Sequence, residues 1–120
     1  MSTLKVNDIQ EATSGGGKIW PNRSWANINM SGTYVIRNDG NVSSLTDLGT
    51  GTVSVVFSNA APNATYSAPS SAGDDTIGNA RIAMPFDGGV IATTAYRIRV
   101  DTSASDAVDV ENLSTSAIWA

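Results

Sequence analysis

Apolar and polar positions alternate in short bursts along this chain, and turn-forming residues end each burst. Trp25-Ala26-Asn27-Ile28-Asn29-Met30-Ser31 interleaves apolar residues with asparagine and serine, the period-two pattern of a half-buried strand. Gly32 interrupts the pattern and Thr33-Tyr34-Val35-Ile36-Arg37 resumes it. Asn38-Asp39-Gly40-Asn41 reads as a turn, because these residues accept positive φ and bond to their own backbone. Asp47-Leu48-Gly49-Thr50-Gly51 reads as a second turn. It leads into Val53, Val55 and Phe57, which alternate with Ser54, Val56 and Ser58.

The rest of the chain continues in this manner. Ala64 to Ala68 predicts a short strand that stops at Pro69, and Ser70 to Asn79 a polar loop with Gly73-Asp74-Asp75 at its tip. Arg81 to Phe86 puts Ile82, Met84 and Phe86 on one face, and Pro85 restricts that strand to a sheet edge or its own end. After the turn at Asp87-Gly88-Gly89, Val90 to Val100 is the longest strand expected, with Tyr96, Ile98 and Val100 among its apolar face. Asp101 to Asp106 is expected as loop, with Ala107 to Glu111 and Leu113 to Trp119 as the last two strands, joined at Asn112. Ser43 to Asp47 is the one place where a short helical turn is expected. Strand patterns about every 8 to 12 residues predict an all-β fold, an antiparallel β-sandwich or jelly-roll-like single domain.

Ahead of that domain, Leu4, Val6 and Ile9 share no single face, and Ser14-Gly15-Gly16-Gly17 is a hinge by composition. Residues 1–17 therefore read as an extended N-terminal arm for attachment, to a larger particle or to a neighbouring subunit, and 18–120 as the β-sandwich domain.

Composition narrows the functions available. The chain has 120 residues, no cysteine and no histidine, which removes disulfides, thiolate chemistry and the commonest general base and metal ligand. A formal net charge of −4, with Lys5, Lys18, Arg23, Arg37, Arg81, Arg97 and Arg99 dispersed, argues against a nucleic-acid partner. Arg97 and Arg99 share a strand face, read as a solvated or interface face. No signal peptide and no membrane-spanning run is visible, so synthesis in a cytoplasm is expected, without membrane insertion. Large apolar side chains are few for a body of this size, which favours self-association.

Candidate chemistry is sparse. Asp101, Asp106, Asp109 and Glu111 cluster in sequence, and Asp109 and Glu111 would share a strand face; a calcium site or a glycosidase pair could be built from them. Neither spacing is specific, and a solvated strand face accounts for them; Asp74-Asp75 reads the same way. The many serines have no histidine partner. The expectation is a non-enzyme with no catalytic, cofactor-binding or metal-binding residues and no cofactor. Trp20, Trp25 and Trp119 are the aromatics that could stack on a sugar, although core or subunit packing is the simpler role for Trp25 and Trp119. Trp20 is the best placed for an inter-subunit contact.

The segments Trp25 to Asn29, Gly32-Thr33, Ile36-Arg37, Asn41 to Ser44, Asp47 to Gly51, Val53 to Phe57 and Pro62 to Tyr66 occur in an order that resembles a known module. It recurs in tail-fibre and other appendage proteins of tailed bacteriophages, especially those infecting marine cyanobacteria. The opening Ser2 to Gln10, the strand Tyr96 to Val100, and Ser114 to Trp119 are similar too, while Ile28 and Met30 depart from a more aromatic pattern. The resemblance implies a structural virion protein of the tail-fibre or appendage type, a homotrimer located in the virion beside other tail or capsid proteins. It would attach to the particle and present its β-domain for host adhesion, with a host surface glycan as a possible partner. A capsid decoration (cement) protein is the rival reading, and a polysaccharide-degrading enzyme a weaker one.

Overall fold

The computed structural model describes residues 22–74, 80–85 and 91–119. Eight strands run in order: β1 (Asn22–Asn29), β2 (Val35–Gly40), β3 (Val42–Asp47), β4 (Thr52–Phe57), β5 (Ser70–Gly73), β6 (Arg81–Pro85), β7 (Ala95–Thr102) and β8 (Asn112–Ile118). They form two four-stranded antiparallel sheets, one ordered β2-β1-β8-β5 and the other β3-β4-β7-β6. The architecture is all-β and matches a β-sandwich. The expected arm, Trp20, Asp75, Phe86 and the turn at Asp87-Gly88-Gly89 lie outside the described residues.

The core lies between the sheets, where the alternation sends one side of each central strand. Ala26 and Ile28 on β1, Val53, Val55 and Phe57 on β4, Tyr96, Ile98 and Val100 on β7, and Leu113 and Ala117 on β8 are all buried. At one end of the sandwich Phe57, Tyr66, Tyr96 and Trp119 gather, with ring centroids 5.2–6.3 Å apart. Such offset and edge-on contacts are each worth about 0.5–1.5 kcal/mol beyond area burial.

Several elements differ from the sequence expectation. Asn38 to Gly40 complete β2 rather than forming a turn, and the chain changes sheet at Asn41 alone (φ 58°). The Asn41 side chain braces this corner, its Oδ1 accepting from the Asn59 amide at 2.8 Å. Ser43 to Asp47 is strand β3, not a helical turn, because Val53 to Val56 pair antiparallel with Ser44 to Asp47, with an irregularity at Ser43. Ser70 to Gly73 is strand β5 rather than loop, held by pairing to Asn112–Thr115 despite its weak β propensity. In the Ala64 to Ala68 segment only Ser67 makes a bridge, to Ile118.

The strand expected from Val90 begins at Ala95 and continues through Asp101, which is strand rather than loop. Ala107 to Glu111 is not a strand: it lies across the end of the sandwich, with Val110 buried and its carbonyl accepting from the Met30 amide at 2.8 Å. Strand β6 is an edge strand ending at Pro85, as expected of that proline. Its inward face differs, however: the register pairs Ala83 with buried Val100, so Ala83 faces the core and Ile82 is 49% exposed.

Candidate functional site

The outer face of the first sheet carries a groove of about 530 Å³, lined by Trp25, Ala26, Asn27, Pro69, Ser70, Ser71, Ser114, Thr115 and Ser116. Strand register explains its shape. Trp25 pairs with Ser116 and Asn27 with Ser114 across β1 and β8, while Ser71 pairs with Ser114 across β5 and β8. The Ser116 amide donates to the Pro69 carbonyl at 3.1 Å. Two rows of three positions result: Trp25, Ser116 and Pro69; Asn27, Ser114 and Ser71. Small serines on the middle strand form a floor, and larger groups on the flanking strands form walls about two strand spacings, or roughly 10 Å, apart.

Of the two packing roles expected for Trp25, core or subunit contact, the structure excludes burial in the core of this chain. Trp25 points outward instead and is 39% exposed, because its neighbours Ala26 and Ser24 take the inward positions of β1. The indole lies over its cross-strand partner Gly40. A Cβ built at Gly40 would stand 2.4 Å from Nε1, so the glycine leaves the space that the ring occupies. On the other row, the Asn27 Nδ2 donates to Ser114 Oγ at 3.3 Å. Beneath the floor, Thr115 donates to the buried Tyr96 hydroxyl at 3.2 Å, and Ser70 and Thr115 hydroxyls are 2.8 Å apart. This ladder ties the groove to the core. None of the nine lining residues carries a charge.

Two acidic residues of the 101–111 cluster, Asp101 and Asp109, take separate partners. Asp101 is nearly buried on β7 and pairs with Arg99 Nε at 2.6 Å. Asp109 accepts from the Tyr34 hydroxyl at 2.6 Å and from the Gly51 amide at 2.7 Å, which ties the 30–34 connection, the 48–51 hairpin and the 107–111 segment together. Asp109 and Glu111 thus share no strand face. Asp74 is held by Arg81 at 2.7 Å beside the β5 and β6 edges. Among the described residues no three acidic groups converge.

Three tyrosines are affected by these surroundings. Burial, then the hydrogen bond to Asp109, holds the Tyr34 phenol well above its ordinary range. Burial pushes Tyr66 and Tyr96 up to about 12 each. The Tyr66 hydroxyl lies 2.8 and 3.1 Å from the Ala92 and Ala95 carbonyls, which fixes the aromatic cluster to the start of β7. Trp119 belongs to that cluster, in agreement with a packing role.

Comparison with protein-family models, with curated proteins and with solved structures returns no match. The site therefore rests on its own geometry. Sequence alternation marks Trp25 as a strand residue but not which way it faces; the glycine opposite it, visible only once β1 and β2 are paired, is the signal that places it outside.

Proposed function

We propose that this chain is a structural and adhesive virion protein of a tailed bacteriophage, of the tail-fibre or appendage type. In this reading residues 1–17 attach it to the particle and the sandwich faces the host. The observation that carries the reading is the use made of its reactive groups. Asp74, Asp101 and Asp109 each brace the scaffold through a separate partner, while the outward face offers an indole beside hydroxyls and amides. The stretch from Trp25 to Tyr66, which carries the family resemblance, supplies most of β1, all of β2 to β4 and two members of the aromatic cluster, Phe57 and Tyr66. Val35 and Leu48 are exposed near the 48–51 end and would suit contact between copies in a homotrimer.

Locating the chain in a density map of the intact particle tests this reading. Density in a fibre or other tail appendage supports it. Density on the capsid lattice replaces it with a decoration protein, and absence from the particle refutes both. Light scattering on the dilute purified chain tests the trimer separately: a trimer mass is expected, and a folded monomer as the dominant species removes that part.

A further inference from the structure

We infer that the groove between Trp25 and Pro69 is a binding site for a neutral saccharide. The inference deepens the adhesive reading above, since it names the ligand class of that surface. Its basis is the chemistry of the lining. A pyranose ring offers an apolar C–H face and a girdle of hydroxyls. It is recognised by an aromatic plane for the first and by short, uncharged donors and acceptors for the second. Trp25 supplies the plane. Ser114 and Ser116 on the next strand and the Asn27 amide on its own strand supply both donors and acceptors beside it, and Ser71 adds a hydroxyl on the far wall.

Two features make this a formed site. The indole is seated over Gly40, in space that any larger residue would fill, so the pairing of β1 with β2 provides its seat. The floor is held from below by the Ser70, Thr115 and Tyr96 hydroxyl contacts, and from above by the Asn27–Ser114 bond. Preorganisation of this kind lowers the ordering cost of binding. The lining itself carries no charge, so the groove's own walls favour a neutral ligand, while Arg37, which donates to Asn112 Oδ1 beside the Asn27–Ser114 row, stands at its rim rather than in its lining. The serine floor is too polar for an aliphatic anchor, which leaves a neutral, hydroxyl-rich ligand as the occupant that meets every wall.

The test applies the full-length chain to an array of neutral oligosaccharides built from hexoses, deoxyhexoses and N-acetylhexosamines, with sulfated and sialylated glycans beside them. Binding to one or more neutral members is expected. Trp25→Ala should weaken it at least tenfold with the melting temperature little changed. Ser116→Phe, which keeps the indole and fills the floor, should abolish it even if the first variant folds poorly. Binding confined to charged glycans, no binding to any neutral member, or binding indifferent to both substitutions overturns the inference. Phage carrying Trp25→Ala separates this site from the broader role: normal incorporation with reduced adsorption upholds both, and normal incorporation with unchanged adsorption removes the saccharide site alone. A chain that binds saccharide but is absent from particles removes the virion role alone.

Discussion

At the scale of single residues, the end of the sandwich near the 48–51 hairpin depends on Gly51 and Asp109. Gly51 sits at φ 70°, and a Cβ there would meet the Val108 amide nitrogen at 2.6 Å and the Val100 carbonyl at 2.7 Å. Both neighbours are backbone, so neither can rotate away. Gly51→Ala combines left-handed strain with this clash and is expected to destabilise the fold by at least about 2 kcal/mol in chemical denaturation. The tyrosines set the alkaline limit. Because Tyr34, Tyr66 and Tyr96 hold their protons more tightly in the folded state, stability is fully present below pH 10, the ordinary phenol value, and falls as pH rises above it. Ionisation of the buried Tyr96 removes up to about 1.4 kcal/mol per pH unit between roughly pH 10 and 12, and Tyr66 acts in the same direction. Unfolding followed with phenolate absorbance should show ionisation and loss of β-sheet signal arriving together; phenols that titrate at their ordinary value in a still-folded chain would contradict it.

At the scale of elements, each sheet has two strands paired on both sides and two on one. Strands β1 and β8 are central in the first sheet, β4 and β7 in the second. Amide hydrogen exchange is expected to be slowest in these four and faster in β2, β3, β5 and β6, and equal protection throughout would contradict it. The same division governs what could be read from sequence. Strands β1, β4 and β7 bury one full face, so selection for apolar residues at every second position leaves a legible pattern. Strands β3 and β5 are edges made of VSSLTD and SSAG, and their strand character comes from the partner beside them. Ala107 to Glu111 misleads in the opposite sense. Val108 and Val110 alternate with Asp109 as a strand would, yet Val110 caps the core and Asp109 turns to Tyr34 and Gly51. The groove was legible only in part: Trp25 was a visible candidate, but the serine floor came from two registers that no local pattern encodes.

At the scale of the whole molecule, the buried apolar core of the described residues is drawn from positions between Ala26 and Ala117, on both sheets and the segments that join them. Deleting residues 2–17 is accordingly expected to leave β-sheet circular dichroism and melting largely intact while abolishing incorporation into particles. A truncated chain that fails to fold would make the arm part of the core. Asn22 pairs with Ile118 at the outer end of the β1–β8 ladder. Both ends of the described body leave it side by side, so tension applied between them opens β1 from β8 like a zip, one rung at a time. Tension that enters at Asn22 and leaves through the opposite loops runs along the strands and loads all the rungs from Asn22 to Ile28 at once. A body pulled in that second direction resists a far greater force than its equilibrium stability suggests, and the two directions would separate clearly in a single-molecule stretching trace.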